Sequence, residues 1–276
     1  MRWTITGNYM LQEINIRASS ISAFFSCPKR WAAIHLDKLP PMPSTPPAVI
    51  GSAVHEGTAV YDSAILSGEN IAPDDAAGVV VDYLQHPKDD VNWSSMTYKE
   101  AERRALGVYT RYVTDEAPNL KFYAVELPLD ALNIDFPEQD ITISLTGTLD
   151  RIFIDSEKRS VLDIKSGERV MSQSVSKHMA QLGAYQILAQ NKLGIAMDAA
   201  PKLCRLQTSA EYKTDVVSVP GSITTLLGTD DEKGLLQHAA EMLSSGDLVG
   251  DASSWLCSEK FCPLAANNNC IFRAKS

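Results

Sequence analysis

The chain has 276 residues, 45% of them hydrophobic, and can therefore bury a sizeable core in one large domain or two small ones. Its formal net charge of −9 argues against a protein that coats nucleic acid by non-specific phosphate neutralisation. No stretch approaches the roughly twenty apolar residues that span a membrane, and the first residues lack the basic and apolar segments of a signal peptide, so we expect a cytoplasmic protein.

The domain organisation predicted from the sequence is simple. Residues 1–18 have no clear pattern and are interpreted as an N-terminal extension, and residues 19–276 as a single domain whose tail, residues 255–273, contains cysteines. The domain is predicted to begin with a helix capped by Ser20, and Pro28 separates this helix from a second one. A stiff, proline-rich connection follows.

The next predicted elements are helices and one strand. A longer helix is predicted from Ile50 onward and carries His55, and the amphipathic segment 97–116 predicts a scaffolding helix. The alternating segment 121–129 predicts a strand that contains one acid, Glu126. Ionising an acid in an apolar strand is costly unless the acid is paired or bound to metal. Glu126 is therefore either a metal ligand or a glutamate that reaches water at a strand edge.

The segment 144–167 predicts a β-hairpin. In each half, apolar residues occupy both odd and even positions, which is typical of a strand that is buried on both faces, and polar residues form a turn between the halves. A register in which Ile154 faces Arg159 places Asp150 opposite Asp163. Their Cβ atoms would then be roughly 5 Å apart, and like charges at that distance repel unless a positive charge lies between them.

Lys165 follows Asp163 by two positions, and the strand period of two directs its ammonium to the same face as both carboxylates. A divalent metal would supply the missing positive charge, since hard oxygen ligands suit Mg²⁺ or Mn²⁺. The alternatives are a buried salt-bridge cluster and acids that are solvated at a strand edge.

After the hairpin, a helix is predicted over residues 174–192, with Gln181 and Tyr185 on one face. Strands over 202–208 and 214–219 would extend the sheet, and a last helix follows. These elements predict an α/β fold with a mixed central sheet flanked by helices.

The cysteines of the tail suggest metal ligation, because a cytoplasmic chain disfavours disulfides. Cys257, Cys262 and Cys270, together with the distant Cys27, provide the four ligands of either a cubane iron–sulfur cluster or a structural zinc site. The alternative is a set of reduced thiols that pack the carboxy terminus. Cys204 lies in an apolar strand and is interpreted as a core residue.

Residues 147–151 (GTLDR) and 161–167 (VLDIKSG) resemble the active-site core of the PD-(D/E)XK nuclease superfamily, in particular its RecB-like branch, although the proline of that name is absent. The amino-terminal pattern SxSxxFxCPxxW and the later QxxxY pattern resemble the same branch, and the resemblance covers roughly residues 20–273. It implies a restriction-endonuclease-like core and a metal-dependent phosphodiesterase that acts on DNA.

The resemblance also implies roles for individual residues. Asp150 and Asp163 would ligate Mg²⁺ or Mn²⁺, and Lys165 would lie beside the attacking water, to orient it or to stabilise charge that develops on the phosphorane. His55 matches the position of a metal-ligating histidine, and its alternative is a packed or capping role. Glu126 matches a second-tier ligand.

Three further residues are candidates for contact with DNA. By resemblance, Gln181 and Tyr185 would hold the DNA backbone or position catalytic groups, although Gln-x-x-x-Tyr alone is a common pattern. Arg151 belongs to a set of basic residues that could form a local DNA-binding groove, and a solvated surface charge is the alternative for it.

Some RecB-like nucleases, including AddB and the CRISPR-associated ones, carry a [4Fe–4S] cluster held by one cysteine before the nuclease motifs and three after them. Cys27 and the tail match that layout, but four and seven intervening residues replace the tighter C-x2-C-x5-C of the family. Phage-encoded relatives have looser tails of this kind. A cluster is therefore predicted, with zinc as the alternative.

The function implied is a DNA exonuclease of recombination, repair or phage DNA processing. One alternative is a DNA-end-binding accessory module that works through a recombination or helicase partner. The acidic charge of the chain favours this alternative, whereas the intact set of two aspartates and a lysine disfavours it. Another alternative is an endonuclease, because exo or endo cutting depends on which ends fit the groove.

Overall fold

The computed structural model describes residues 11–209 and 211–273, and in these residues a mixed β-sheet has helices on both faces. The six strands are β1 (Gln12–Arg17), β2 (Phe122–Phe136), β3 (Ile141–Asp155), β4 (Lys158–Gly167), β5 (Lys202–Gln207) and β6 (Thr214–Ser218). The helices are α1 (Ile21–Ser26), α2 (Pro28–His35), α3 (Pro46–Ser67), α4 (Pro73–Gln85), α5 (Tyr98–Arg111), α6 (Met179–Leu193), α7 (Ser222–Leu227), α8 (Leu235–Ser245) and α9 (Pro263–Ala266). The predicted α/β fold is confirmed. Within the described ranges, no helix combines the length and the apolarity needed to cross a bilayer.

Strand β3 organises the sheet. Strand β2 pairs antiparallel with β3 along most of its length, from one edge. On the opposite edge, β1 pairs in parallel with residues 141–146, and β4 pairs antiparallel with residues 151–155. Residues 147–150 therefore have no strand partner on that edge within the described part of the chain. We call this interruption the β3 gap.

The hairpin of β3 and β4 has the predicted register, since Ile154 faces Arg159. The ladder ends at Arg151, after which β4 continues alongside β5. Asp150 and Asp163 lie one step beyond the last ladder pair. The two acids consequently face the β3 gap, where side chains can take the place of main-chain partners.

Each face of the sheet is covered by a separate apolar core. Helices α6 and α8 pack on one face, around residues such as Leu145, Val161 and Leu182. Helices α3, α4 and α5 pack on the other face, around residues such as Val54 and Leu206. Because the hairpin is buried on both sides, it has apolar residues on both faces: Ile152 and Val161 pack in one core, and Phe153 and Leu162 pack in the other. Helices α3 and α6 reach the hairpin from opposite faces.

Several predicted helix boundaries differ from the structure. The helix predicted over 174–192 is α-helical only from Met179, after a 3-10 segment over Val175–His178. Helix α3 begins at Pro46 instead of Ile50, because a proline in the first turn loses no helical hydrogen bond and its fixed φ suits a helix. The predicted helix over 97–116 is α-helical only as far as Arg111, and residues 112–116 continue as a π-helical segment.

The amino-terminal part of the chain also differs from expectation. Of the predicted extension, residues 1–10 lie outside the described residues, whereas residues 12–17 form β1 and belong to the sheet. The hydroxyl of Ser20 does not cap α1. It donates to the main-chain oxygen of Arg17 and accepts from the indole N–H of Trp31. Helix α4 was not predicted.

Candidate active site

Asp150 occupies the last position of the β3 gap, where its carboxylate replaces a strand partner. Its Oδ2 atom accepts a hydrogen bond of 2.7 Å from the main-chain N–H of Ile164 on β4. Its Oδ1 atom lies 2.9 Å from Nε2 of His55 on α3. The residue is buried, so both oxygens are fixed by protein groups.

Glu126 on β2 completes a group of three possible metal ligands with His55 and Asp150. Its Oε1 atom is 3.6 Å from Nδ1 of His55. One ligand atom from each of the three residues lies within 4.8 Å of the other two. Carboxylate oxygens suit hard divalent cations, and a neutral imidazole is a common metal ligand. The donor set therefore fits a divalent metal ion.

Asp163 and Lys165 lie beside this group on β4. Asp163 is 1% exposed, and its Oδ1 atom accepts from Nζ of Lys165 at 3.1 Å. Its Oδ2 atom is 2.9 Å from the same Nζ, so the ammonium forms an ion pair with both carboxylate oxygens. A carboxylate buried this deeply requires a positive charge close to it.

Helix α6 supports Asp163 from the other side. The amide of Gln181 donates to Asp163 Oδ1 at 3.0 Å and to the hydroxyl of Tyr185 at 3.1 Å. Both side chains are buried, at 6% and 4% exposure, which favours positioning over direct contact with the DNA backbone. The ring of Tyr185 packs on Gly147, where an added Cβ would be only 2.9 Å from Cε1.

The pKa values of the two buried aspartates shift in opposite directions. Burial, together with Asp150, raises the pKa of Asp163 to about 6, against the influence of Lys165. Burial acts in the same sense on Asp150, but His55 and Lys165 bring its pKa below the usual value. Although burial opposes this, Asp150 raises the pKa of His55 and Asp163 raises that of Lys165. His55 and Lys165 thus supply the positive charge that lies beside the two aspartates.

Arg151 does not have the predicted environment of a DNA contact. Its side chain is 0% exposed because the strand period of two directs it to the face opposite Asp150. Its Nε atom donates to Oδ2 of the equally buried Asp62 at 2.6 Å, and Nη1 donates to Glu126 at 2.9 Å. Sequence reasoning missed Asp62, although an acid on the apolar face of a helix could have indicated it.

His178 is a second residue that sequence reasoning missed. It immediately precedes α6 and is close enough to Lys165 and Lys177 for their charges to affect it. Burial, followed by these two lysines, lowers the pKa of His178 to about 4. A neutral imidazole therefore borders the site at physiological pH.

The four cysteines predicted to hold a metal centre are brought together by the fold. Cys27, Cys257, Cys262 and Cys270 line one cavity between the start of α2 and the tail, next to Arg30. No three of their sulfur atoms lie within 4.8 Å of one another. Cys204 is fully buried in β5 and lies outside this cavity, as predicted for a core residue.

A mixed sheet with buried acids and a lysine at a break in its central hairpin defines a nuclease of the restriction-endonuclease-like class. A sequence profile described as the PD-(D/E)XK nuclease superfamily matches residues 16–266. The chain belongs to that superfamily.

Solved structures with similar folds were also found. A protein from Eubacterium rectale described as a candidate exonuclease has a TM-score of 0.52 and 12% identity, and the match covers 95% of this chain and 91% of that chain. The protein SSO0001 has a TM-score of 0.44 and 11% identity, and the match covers 99% and 90%. At 12% identity, the first likeness shows the fold alone. No curated protein sequence is significantly similar to the chain.

Proposed function

We propose that the chain is a Mg²⁺- or Mn²⁺-dependent DNA exonuclease of the RecB-like branch. One observation supports this proposal above the others: Asp150, Asp163 and Lys165 converge at the β3 gap, and His55 and Glu126 adjoin them from two other elements. A structural ion-pair cluster would not need three possible ligand atoms, from three separate elements, within 4.8 Å of one another.

In this proposal some side chains would bind the metal, and another would orient the attacking water. When bound, a divalent cation would polarise the phosphate and lower the pKa of a water molecule. His55, Glu126 and Asp150 would hold the cation, with Oδ2 of Asp163 as a further ligand. The ammonium of Lys165, beside Asp163, would orient the water or stabilise the negative charge that develops on the phosphate.

Gln181 and Tyr185 would act as positioning residues in this proposal. The amide of Gln181 fixes the carboxylate of Asp163, and the hydroxyl of Tyr185 accepts from the same amide. The rotamer of Asp163 determines where its Oδ2 atom points. These contacts to Oδ1 would therefore determine whether Oδ2 can ligate metal.

An exonuclease is favoured over the alternatives for two reasons. The Eubacterium rectale protein of similar fold is described as a candidate exonuclease. The paired acids and lysine also disfavour an inactive accessory module, since such a module has no need to bury like charges together. An endonuclease would use the same side chains. The net charge of −9 suggests that the enzyme works in the cytoplasm with a recombination or helicase partner that supplies affinity for DNA.

The test is cleavage of end-labelled single- and double-stranded linear DNA, alongside closed circular DNA, with Mg²⁺ or Mn²⁺. The wild type should release nucleotides from ends and spare circles, and Lys165→Ala should abolish this activity. Lys158→Ala, at the exposed start of β4 in the same hairpin, is the matched control and should cleave normally. Cleavage of circles would favour the endonuclease, and no cleavage by folded, metal-loaded wild type would favour the accessory module.

We further propose that the four cysteines hold a [4Fe–4S] cluster, with zinc as the alternative. Tetrahedral zinc with bonds of about 2.3 Å requires sulfur atoms about 4 Å apart. A cubane binds each thiolate to a different iron and so requires wider separations. The two kinds of centre differ in the sulfur separations that they need, and the single cavity that all four cysteines line supports a shared metal centre of either kind.

Metal analysis of protein purified without oxygen tests this second proposal. Iron and sulfide in equal amounts, lost in Cys257→Ala and retained in Cys204→Ala, would support the cluster. Stoichiometric zinc with the same pattern would support the alternative. Free thiols at all five positions in freshly purified protein would contradict both.

A further inference from the structure

A fully buried polar cluster lies directly beneath the candidate metal ligands. Its centre is the ion pair between Arg151 and Asp62, and both side chains are 0% exposed. Oδ2 of Asp62 accepts from Nε of Arg151 and from the hydroxyl of Tyr112, both at 2.6 Å. Asp62 therefore anchors the guanidinium to α3 and to the π-helical segment after α5.

The guanidinium contacts each of the three segments that carry a candidate metal ligand. Nη1 donates to the carboxylate of Glu126 on β2 at 2.9 Å and to the main-chain oxygen of Asp150 on β3 at 2.8 Å. Nη2 donates to the hydroxyl of Thr58 at 3.3 Å, and that hydroxyl donates to the main-chain oxygen of His55 at 3.0 Å. One side chain thus connects α3, β2 and β3.

Among the three candidate ligands His55, Glu126 and Asp150, Glu126 has the backbone conformation that most requires stabilising contacts. Its backbone has φ +48, in the left-handed region that a residue with a side chain rarely adopts. Strained conformations of this kind persist only where the surroundings determine them, and they cluster at functional sites. The hydrogen bond from Arg151 holds the carboxylate of Glu126 on the side facing His55 and Asp150.

We propose that Arg151 is a positioning residue that holds Glu126, Asp150 and His55 in a geometry able to bind a divalent cation. The inference rests on the proposed metal-dependent function and adds a role for a residue that does not ligate the metal. Stability alone is a poor reason for this pair, since a buried ion pair is often replaced by apolar residues without loss of stability. Its contacts instead converge on the ligand-bearing segments.

Direct Mn²⁺ binding tests the inference without reference to activity. Free Mn²⁺ would be quantified by electron paramagnetic resonance for wild type, Arg151→Lys, Glu126→Gln and the double variant. Lysine keeps the charge but cannot donate to Glu126 and Asp62 together, so affinity should fall roughly 10- to 100-fold. Because part of the effect of Arg151 passes through Glu126, the loss of affinity in the double variant should be smaller than the sum of the two single losses.

The matched control is Arg205→Lys. Arg205 makes a bidentate ion pair with Asp215 on the same sheet and donates to the main-chain oxygen of Met171, so its side-chain hydrogen bonds reach none of α3, β2 and β3. Its substitution should leave Mn²⁺ affinity unchanged. Wild-type affinity for Mn²⁺ in folded Arg151→Lys would overturn the inference but not the proposed function. Additive losses of affinity in the double variant would have the same meaning. Failure of the wild type to bind Mn²⁺ would instead contradict the proposed function.

A second variant covers the case in which Arg151→Lys does not fold. Arg151→Met combined with Asp62→Leu removes both buried charges together, so neither is left without a partner. This variant should unfold cooperatively in urea and bind Mn²⁺ at least 10-fold more weakly than wild type. A folded variant with wild-type affinity for Mn²⁺ would overturn the inference.

Discussion

Nε2 of His55 lies 2.9 Å from Oδ1 of Asp150, so that a helix on one face of the sheet contacts the central strand at the β3 gap. The contact favours the protonated imidazole, because Asp150 raises the pKa of His55 although burial acts to lower it. A metal ion requires the neutral imidazole. Metal and proton therefore compete for His55.

We accordingly expect Mn²⁺ binding to release protons and to strengthen as the pH rises above about 6.5, the ordinary pKa of histidine. Isothermal titration in buffers of different ionisation enthalpy measures the number of protons released. His55→Asn should bind more weakly and release fewer protons than wild type. Equal proton release by the two proteins would contradict a role for His55 as a ligand.

Lys165 should affect cleavage far more than metal binding. Its ammonium contacts Asp163 and is not a possible metal ligand while charged. We expect Lys165→Ala to reduce the rate of cleavage at least about 100-fold. Its Mn²⁺ affinity should equal or exceed that of wild type, because a competing positive charge is removed. A loss of Mn²⁺ affinity as large as the loss of rate would show that the lysine mainly supports the fold of the site.

Asp163 should make the free energy of unfolding of the metal-free protein depend on pH. Its pKa is about 6 in the folded protein, above its ordinary value, so protonation favours folding. This contribution, at most about 3 kcal/mol, is fully present below about pH 4 and is lost as the pH rises through 6. Urea unfolding in EDTA should show wild type losing stability relative to Asp163→Asn across that range. Parallel pH profiles would contradict the raised pKa.

Gly147 should be needed for the position of Tyr185. A Cβ at Gly147 would be 2.9 Å from the ring, so Gly147→Ala must displace Tyr185 and weaken its link through Gln181 to Asp163. We expect a destabilisation of about 1–3 kcal/mol and slower cleavage.

The control for this substitution is Gly78→Ala. Gly78 lies within α4, and an added Cβ would meet no atom within 4 Å. Alanine there should stabilise the protein by about 0.5–1 kcal/mol and leave cleavage unchanged. Thermal unfolding and initial rates would be measured for both variants. Normal cleavage by Gly147→Ala would show that the position of Tyr185 does not matter.

The hairpin could be predicted because its pattern is local. Apolar residues of both parities indicated strands buried on two faces, and the polar turn determined the register that the structure confirms, with Ile154 facing Arg159. The strand period of two places Arg151 on the face opposite Asp150, where its side chain is buried. A DNA contact at Arg151 stays a prediction, which this burial disfavours.

Other features depend on contacts that no local pattern contains. The partner of Arg151 is Asp62, far away in the sequence, and only the packing of α3 on the sheet brings them together. Strand β1 pairs in parallel with β3, and such pairing across a long stretch of chain leaves no turn signal. The β3 gap follows from that pairing, and so it could not be predicted either.

The cavity of cysteines joins the beginning of the domain to its end. Cys27 precedes α2, whereas its three companions lie in the final segment of the described chain. During synthesis, a ribosome would complete the sheet and every residue at the β3 gap long before Cys257 emerges. Cys27 would therefore have no other cysteine of this cavity beside it until the segment 257–270 emerges. Closure of the cavity would follow completion of the sheet, as a separate and later step of folding.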